Sequence, residues 1–168
     1  MSIDKLDKAD LVRLLNIYAK NMLAMDGVWF QSVERKYGME EAMEHDRNAW
    51  KVFTVIEARR IKKFLGLPER AGIQGLEKAL RFRFYAALNG DEIIPDNDTL
   101  VYRTVSCRVQ NARANKGMPF HPCKSVGIIE YSFFAKEIDN RFECEALSCY
   151  PDITDNSCAC SWKFTLKK

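Results

Sequence analysis

The chain has 168 residues, and its 26 basic and 23 acidic side chains leave a formal net charge of only +3. This length is typical of one domain with its own core, so we expect residues 1–168 to form a single domain. So small a basic excess argues against nucleic acid as a partner, because nucleic-acid binding usually requires a clustered basic face. No segment approaches the roughly eighteen consecutive apolar residues of a membrane span, which argues against a membrane partner.

The N-terminus and the cysteines together bear on the compartment. Residues 1–10 are charged where a signal peptide needs an apolar run, which predicts a cytoplasmic protein whose thiols stay reduced. All six cysteines lie between Cys107 and Cys160. In a reducing compartment we expect such cysteines to be buried thiols, metal ligands or catalytic groups rather than structural disulfides.

Residues 1–75 are predicted to be mainly helical. Over residues 6–23, leucines and other apolar side chains recur at spacings of three and four, which indicates an amphipathic helix. Gly27 is predicted to break the chain before a second helix over residues 28–37. A third helix is predicted to follow over residues 39–64, where apolar side chains again recur at helical spacing.

Residues 76–168 are predicted to form a hairpin, a helix and a second hairpin, and to hold all the cysteines. Residues 80–86 alternate apolar and charged side chains, which predicts a strand, although residues 76–88 can also be read as a helix. Residues 99–107 are rich in β-branched and aromatic side chains and predict the second strand. These two strands are predicted to pair antiparallel across an irregular loop.

The last part of the chain predicts a helix over residues 124–138 and strands over residues 141–149 and 157–166. The helix is expected to begin after Pro122, because proline disfavours helical geometry at the residue before it. Helices and strands are segregated in sequence, without regular alternation of strand and helix. We therefore predict an α+β fold, with N-terminal helices packed on a four-stranded antiparallel sheet.

Four cysteines and one histidine are candidate metal ligands. Cys107 lies near a predicted strand end, and Cys123 begins a predicted helix. Cys149 and Cys160 lie on the two strands of the second predicted hairpin, and neighbouring elements of the sheet would bring these thiols together. His121 can add an imidazole. Thiolate and imidazole are the ligands that zinc prefers, so this set predicts a metal site with zinc as its cofactor.

The other two cysteines, Cys144 and Cys158, are predicted to lie outside this site. Cys158 and Cys160 should point to opposite faces of one strand, so only one of them is expected to join the cluster. An alternative interpretation is that all six are ordinary buried or surface thiols, since free cysteine often packs as a small hydrophobic residue.

Cys123 is the best candidate for a catalytic nucleophile. A helix N-terminus lowers the pKa of a thiol, and Lys124 is expected to add a nearby cation. The alternative is that Cys123 only packs beneath the loop that contains Phe120.

The candidates for binding a substrate are Gln110, Arg113, Glu34 and Trp29. Gln110 and Arg113 follow Cys107 at three-residue spacing and share a face if the segment is helical. Arg113 can bind a carboxylate, although a solvated arginine is the commoner case. Glu34 lies between Trp29 and Tyr37, and His45 and Asp46 precede Trp50. Such residues can line a pocket, although most aromatic residues at helical spacing belong to a core.

Motifs along most of the chain after residue 20 carry a family resemblance. In the first half they are Asp26-Gly-Val-Trp-Phe30, Val33-Glu34, Tyr37-Gly38, Ala42, Asp46, Trp50 and Glu57-Ala-Arg-Arg60. In the second half they are Cys107-x2-Gln110-x2-Arg113, Gly117, Phe120-His-Pro-Cys-Lys124, Gly127, Phe134-Ala135, Ile138-Asp139, Cys149-x-Pro151-Asp152 and Cys160-x-Trp162-x-Phe164. With these motifs the chain resembles an uncharacterised family of small cytosolic bacterial and archaeal proteins.

The chain also resembles, more distantly, the family named for L-2-amino-thiazoline-4-carboxylate hydrolase, a ring-opening enzyme of cysteine metabolism. It departs from the expected pattern at Tyr150, where a proline is expected, and at Cys158, which is an additional cysteine. The order of helices, hairpin, helix and hairpin is similar to the 4-vinyl-reductase or TRAPP-like ligand-binding fold. That likeness implies a domain that binds a small molecule or senses a metal.

Two hypotheses for function follow from the residues and the resemblance. The first is a hydrolase with a cysteine-centred site that opens a small cyclic C–N substrate, with Cys123 or a metal-bound water as the nucleophile. The second is a non-enzymatic module that binds a metal or a ligand, or senses redox state. In both, the partner is a small molecule, and the sequence is also compatible with a homodimer.

Overall fold

The structure is a computed structural model that describes residues 2–168, and it has the predicted α+β fold. Five α-helices accompany one four-stranded sheet in this part of the chain. The helices are α1 (Lys8–Tyr37), α2 (Met39–Phe64), α3 (Gly72–Leu80), α4 (Arg108–Asn115) and α5 (Lys124–Ile138). The strands are β1 (Gly90–Pro95), β2 (Thr99–Ser106), β3 (Phe142–Cys149) and β4 (Cys160–Leu166).

α1 is a single helix of 30 residues, so the predicted break at Gly27 is wrong. Asp7 caps its N-terminus, since the Asp7 carboxylate accepts a hydrogen bond of 2.8 Å from the backbone N–H of Asp10. Glycine in a helix interior costs only about 1 kcal/mol relative to alanine, which so long a helix tolerates. The chain turns at Gly38 instead, where φ is 92°.

The first predicted strand is also wrong, because residues 80–86 contain the end of α3 and a 3-10 turn (Phe84–Ala87). The charged side chain of Arg83, which the alternation places on a solvent face, is buried instead and donates to Glu57 over 2.9 Å. The strand that pairs with β2 is β1, in a segment whose Asn89-Gly90 dipeptide predicts a turn. The predicted hairpin exists, but its first strand lies about ten residues later.

The sheet is antiparallel throughout, with strand order β1-β2-β4-β3. α5 packs across it, and its Gly127 lies directly over the Trp162 ring. A Cβ atom added to Gly127 would come within 2.6 Å of Trp162 Cζ2. The close approach therefore requires a residue without a side chain and sets the height of the first turn of α5 above β4.

Two groups of buried side chains hold the helices in place. The larger lies between α5 and the sheet and includes Phe134, Trp162 and Phe164. The smaller joins α1, α2 and the start of α5 around Phe30 and Trp50. A cavity lies between these two groups. Within residues 2–168, no helix combines the length and the apolar character needed to cross a bilayer.

Candidate active site

A cavity of about 500 Å³ lies between α1, α2, α4, α5 and the sheet. Four of the six cysteines line it, on four different elements or their ends: Cys107, Cys123, Cys149 and Cys160. Cys144 and Cys158 are not among its lining residues, and all six thiols are free. The fold thus brings together thiols that are up to 53 residues apart in sequence.

His121 connects Cys123 to a carboxylate from α2. Its Nδ1 atom lies 3.1 Å from Cys123 Sγ, and its Nε2 atom lies 3.1 Å from Asp46 Oδ2. A carboxylate accepts hydrogen bonds, so Asp46 favours the tautomer with the proton on Nε2 and a lone pair on Nδ1 toward the thiol. Both side chains are buried, with exposed fractions of 9% for His121 and 8% for Asp46. Cysteine, histidine and aspartate thus form a hydrogen-bonded line.

Gln110, on α4, fixes the backbone around this line. Its Oε1 atom accepts a hydrogen bond of 3.0 Å from His121 N–H, and its Nε2 atom donates to the His121 carbonyl oxygen over 2.8 Å. The same Nε2 atom lies 3.2 Å from Cys123 Sγ, so the amide also offers a hydrogen to the sulfur. The thiol proton can point to the His121 carbonyl oxygen, 3.2 Å away, as well as to Nδ1.

Cys123 is the N-cap residue of α5, and its carbonyl oxygen accepts the backbone N–H groups of Val126 and Gly127. Burial nevertheless raises the pKa of the Cys123 thiol well above its usual range, and the neighbouring thiols and carboxyl groups raise it further. Lys124 does not place the expected cation beside the thiol, because its ammonium group pairs with Asp152 over 2.7 Å at the surface. The predicted lowering of the Cys123 pKa is therefore wrong, and the resting group is a neutral thiol.

Two further carboxyl groups face the cavity. Burial and the nearby Asp46 raise the pKa of Asp26 to about 6, against a lowering effect of His121. Burial also raises the pKa of Glu130 to about 7. One arginine, Arg83, lies between Glu130 and Glu57, with 2.6 Å from Arg83 Nη2 to Glu130 Oε1. A single guanidinium cannot fully compensate two buried carboxylates, so one of them tends to hold a proton.

Cys149 and Cys160 face each other across β3 and β4. The indole N–H of Trp162 donates a hydrogen bond of 3.3 Å to Cys160 Sγ. Hydrogen bonds from Cys149, Trp162 and Thr104 lower the pKa of Cys160, whereas the pKa of Cys149 is raised because its thiol donates to Cys160. Burial raises the pKa of Cys107. Of the four thiols that line the cavity, Cys160 therefore has a lowered pKa, and the other three have raised pKa values.

Arg113 lines the cavity, but Glu34 already pairs with it. The two nitrogens of its guanidinium donate to the Glu34 carboxylate over 2.9 and 2.6 Å, and Nε donates to the Pro119 carbonyl oxygen. The predicted role of Arg113 as a partner for a substrate carboxylate is thus taken by Glu34, and the pair joins α1 to α4. Trp29 does not line the cavity, and its exposed fraction is 69%.

Of the three carboxyl groups that line the cavity, the sequence indicates Asp46 only as a residue that can line a pocket, and it does not indicate Asp26 or Glu130 as site residues. Glu130 gives a signal in the sequence, since it interrupts an otherwise apolar face of the predicted helix over residues 124–138. Asp46 stands 75 positions before His121 and carries no local signal of that pairing.

The metal prediction has no geometric support in the described part of the chain. Between residues 2 and 168, no group of three or more histidine, cysteine, aspartate or glutamate side chains is arranged to hold a metal ion. Zinc bound by Cys107, Cys123, Cys149, Cys160 and His121 therefore stays a prediction from the sequence, which elemental analysis of the purified protein tests.

Comparison with known proteins gives a family but no characterised relative. No curated protein matches the sequence, and no solved structure matches it. A family described as a family of unknown function, DUF6125, matches residues 4–166. That range covers α1 to β4, including every side chain that lines the cavity. The chain therefore belongs to the DUF6125 family.

Proposed function

We propose that the protein is a thiol-dependent hydrolase of a small C–N substrate, with Cys123 as its nucleophile. The observation that carries the proposal is the line from Cys123 Sγ through the His121 ring to Asp46, with both separations at 3.1 Å. A nucleophile, a base within hydrogen-bond reach and a third group that orients the base form the general arrangement of nucleophilic catalysis.

The neutral resting thiol fits a mechanism in which the base acts during attack. Cys123 Sγ bonds to the electrophilic carbon while its proton passes to His121 Nδ1, and the Asp46 carboxylate stabilises the resulting imidazolium. The C–N bond then breaks, and His121 returns the proton to the departing nitrogen. Water next adds to the carbon, its proton passes to His121, and the C–S bond breaks with return of that proton to Cys123.

The Gln110 amide is placed to assist the same step. Its Nε2 atom lies 3.2 Å from Cys123 Sγ, so a substrate atom that gains negative charge beside the sulfur would meet an N–H donor. Gln110 also holds both backbone groups of His121, which keeps the imidazole aligned with the thiol. Gln110 thus positions His121 and also presents an N–H donor beside the sulfur.

The cavity offers partners for a substrate with a basic nitrogen. Asp26, Asp46 and Glu130 line it, together with the basic side chains Lys20, Arg108 and Lys116 and with Arg113, which is paired with Glu34. A cyclic amidine, the substrate type that the hydrolase resemblance implies, has such a nitrogen next to an electrophilic carbon. Its size suits a cavity of about 500 Å³.

The test is turnover of small cyclic amidines by the purified protein, with and without added zinc, read as ring-opened product by mass spectrometry. We expect turnover by the wild type, none by Cys123→Ala, and a covalent adduct on Cys123 after acid quenching. Cys107→Ala is the matched control, because Cys107 lines the same cavity but has no imidazole beside it. A wild type without turnover, or Cys123→Ala with normal turnover, would overturn the proposal.

A second candidate function is binding of a small molecule without chemistry. It is favoured by the raised pKa of Cys123, since a neutral buried thiol also suits the wall of a binding cavity. The same assay separates the two candidates, because a pure binding protein would hold the amidine unchanged, in both the wild type and Cys123→Ala.

A further inference from the structure

We propose that Cys149 and Cys160 form a dithiol that exchanges with small disulfides entering the cavity and closes to a protein disulfide. This activity goes beyond the proposed hydrolase, because it uses two sulfurs outside the line of Cys123, His121 and Asp46. It requires three conditions: that the two sulfurs can bond, that one of them is a good nucleophile, and that a small disulfide can reach it.

The backbone places the two cysteines as a non-hydrogen-bonded antiparallel pair. They are direct partners in the register of β3 and β4. The N–H and the C=O of Cys149 both bond to Asp152, over 3.2 and 2.7 Å, so neither is directed to β4. In such pairs the Cα atoms lie about 4.5 Å apart, the closer of the two antiparallel spacings. Disulfides span about 4.4–6.8 Å between Cα atoms, so the pair can close without moving the strands.

The two thiols differ in the way that an attacking and a resolving cysteine differ. Cys160 is partly exposed, whereas the exposed fraction of Cys149 is 1%. Trp162 Nε1–H donates to Cys160 Sγ over 3.3 Å, and such a donor stabilises a thiolate more than a thiol. The lowered pKa of Cys160 agrees with this geometry. Cys160 is therefore the attacking sulfur, and the buried Cys149 is the resolving one.

The reaction balances with a small organic disulfide, RSSR, as the oxidant. Cys160 sulfur attacks one sulfur of RSSR, the S–S bond breaks, and the departing RS⁻ takes the proton that Cys160 gave up. Cys149 sulfur then attacks Cys160 sulfur in the mixed disulfide, and the second RS⁻ leaves with the Cys149 proton. Two protein thiols are oxidised to one disulfide, and RSSR is reduced to two RSH.

The cavity gives the disulfide access to Cys160. Both cysteines line it, and its volume of about 500 Å³ exceeds what a few-atom disulfide needs. The nearest other thiols, Cys107 and Cys123, have raised pKa values, so they compete poorly for the first attack. Cys144 and Cys158 lie outside the cavity and cannot resolve an adduct on Cys160.

The experiment treats fully reduced protein with bis(2-hydroxyethyl) disulfide, quenches it with acid, blocks free thiols with N-ethylmaleimide and maps peptides by mass spectrometry. We expect the wild type to lose two thiols and to link Cys149 to Cys160. Cys149→Ala should stop at a mixed disulfide on Cys160, and Cys160→Ala should leave Cys149 unmodified. A first adduct on Cys107 or Cys123, or no link between Cys149 and Cys160, would overturn the proposal.

Two controls separate this result from the hydrolase and from misfolding. Cys107→Ala changes a thiol in the same cavity and should keep the link. Cys123→Ala should lose hydrolysis but also keep the link, so either proposal can fail alone. Should the Cys160 variant not fold, alkylation of the wild type by iodoacetamide decides: Cys160 must react at lower pH than Cys123, and the reverse order would refute the assignment.

Discussion

Cys123 and Cys160 line the same cavity, yet their neighbours offer the two sulfurs different things. Beside Cys123 lies an imidazole nitrogen that can take a proton, backed by the Asp46 carboxylate. Beside Cys160 lie hydrogen-bond donors, of which the Trp162 indole is 3.3 Å away. Gln110 Nε2 also lies 3.2 Å from Cys123 Sγ. Burial and the neighbouring thiols and carboxyl groups nevertheless raise the pKa of Cys123, whereas hydrogen bonds lower the pKa of Cys160.

The difference shows two routes to a reactive sulfur in one fold. A base makes a neutral thiol reactive only while it attacks, since the proton leaves as the new bond forms. Donors make the thiolate itself more stable, so the sulfur is ready before any substrate arrives. The first route suits attack on carbon with a poor leaving group, which needs the proton returned. The second suits disulfide exchange, whose leaving group is already a good one.

The largest expected effect comes from removing the base. His121→Ala should lower hydrolytic turnover by about 10²–10⁴-fold, the usual contribution of a positioned acid–base group. The exchange reaction of Cys160 should persist, because His121 does not contact that sulfur. Turnover and peptide mapping on the same preparation measure both. Equal loss of both reactions would show that the variant disturbs the whole cavity rather than one thiol.

The sequence predicts those features of the two thiol sites that depend on local interactions, but not those that depend on contacts between residues distant in sequence. α5 begins and ends where its apolar spacing and Pro122 place it, because these signals are local. The residues that distinguish the two thiols are set by tertiary packing. Asp46 on α2 reaches His121, in the loop before α5, from 75 positions away, and no local pattern around either residue indicates the pair. One contact of Cys160 is local, since Trp162 lies two positions along the same strand and therefore on the same face.

The misplaced first strand has two physical causes, and both lie in the tertiary structure. Residues 80–86 alternate like a strand, but Arg83 turns inward to meet Glu57 and Glu130, so the charged positions are not the exposed ones. β1 has mostly exposed or half-exposed side chains and is an edge strand, so little hydrophobic pattern marks it. The ion pairs of Arg83 with α2 and α5 and the edge position of β1 both depend on tertiary contacts, which no local pattern in the sequence records.

The second prediction concerns Glu130, which raises the pKa of both Cys123 and Cys160. Its own pKa is about 7 when folded, against 4.5 for a free side chain. The folded state therefore holds a proton that the unfolded state releases, and the free energy of unfolding should fall as pH rises from about 4.5 to 7. Over this pH range Glu130 alone should lower the free energy of unfolding by about 3 kcal/mol, since each pKa unit corresponds to about 1.4 kcal/mol.

Glu130→Gln should flatten this fall, as measured by urea unfolding at a series of pH values. Arg83 keeps the Glu57 carboxylate as its partner in the variant, so the buried cluster stays neutral. Glu137→Gln, on the more exposed part of the same helix, is the matched control and should keep the wild-type slope. An unchanged slope in Glu130→Gln would contradict the assignment of the proton to this carboxyl group.

The third prediction is that one added methyl group, at Gly127, disturbs the surroundings of both thiols. Gly127 separates α5, which carries Cys123, from the Trp162 ring beside Cys160, and an added Cβ would lie 2.6 Å from Trp162 Cζ2. Gly127→Ala should destabilise the protein by about 1–3 kcal/mol through overpacking, despite the better helix propensity of alanine. Gly27→Ala is the control, because its Cβ meets only Gln31 at 3.8 Å and should stabilise α1 slightly. Thermal unfolding compares them, and equal effects would contradict the close packing.

The smallest effect should come from Trp162→Phe, which removes the indole donor to Cys160 and keeps an aromatic ring over Gly127. A hydrogen bond from the indole stabilises a thiolate more than a thiol, so its loss should raise the pKa of Cys160. The pH dependence of Cys160 alkylation by iodoacetamide, followed by peptide mass spectrometry, measures the shift. The Cys123 profile should stay in place, because its raised pKa comes from burial and from neighbouring thiols and carboxyl groups.

Trp50→Phe is the matched control for that experiment, since Trp50 lines the same cavity from α2 and packs against Phe53 and Tyr85. Trp50→Phe removes the same atoms from a similarly buried side chain and should leave the pH dependence of Cys160 alkylation unchanged. A shift of similar size in both variants would mean that the general polarity of the cavity, and not the indole N–H, sets the pKa of Cys160. The difference between the two thiols would then lie only in the base at Cys123, and the dithiol would lose the donor that makes Cys160 the attacking sulfur.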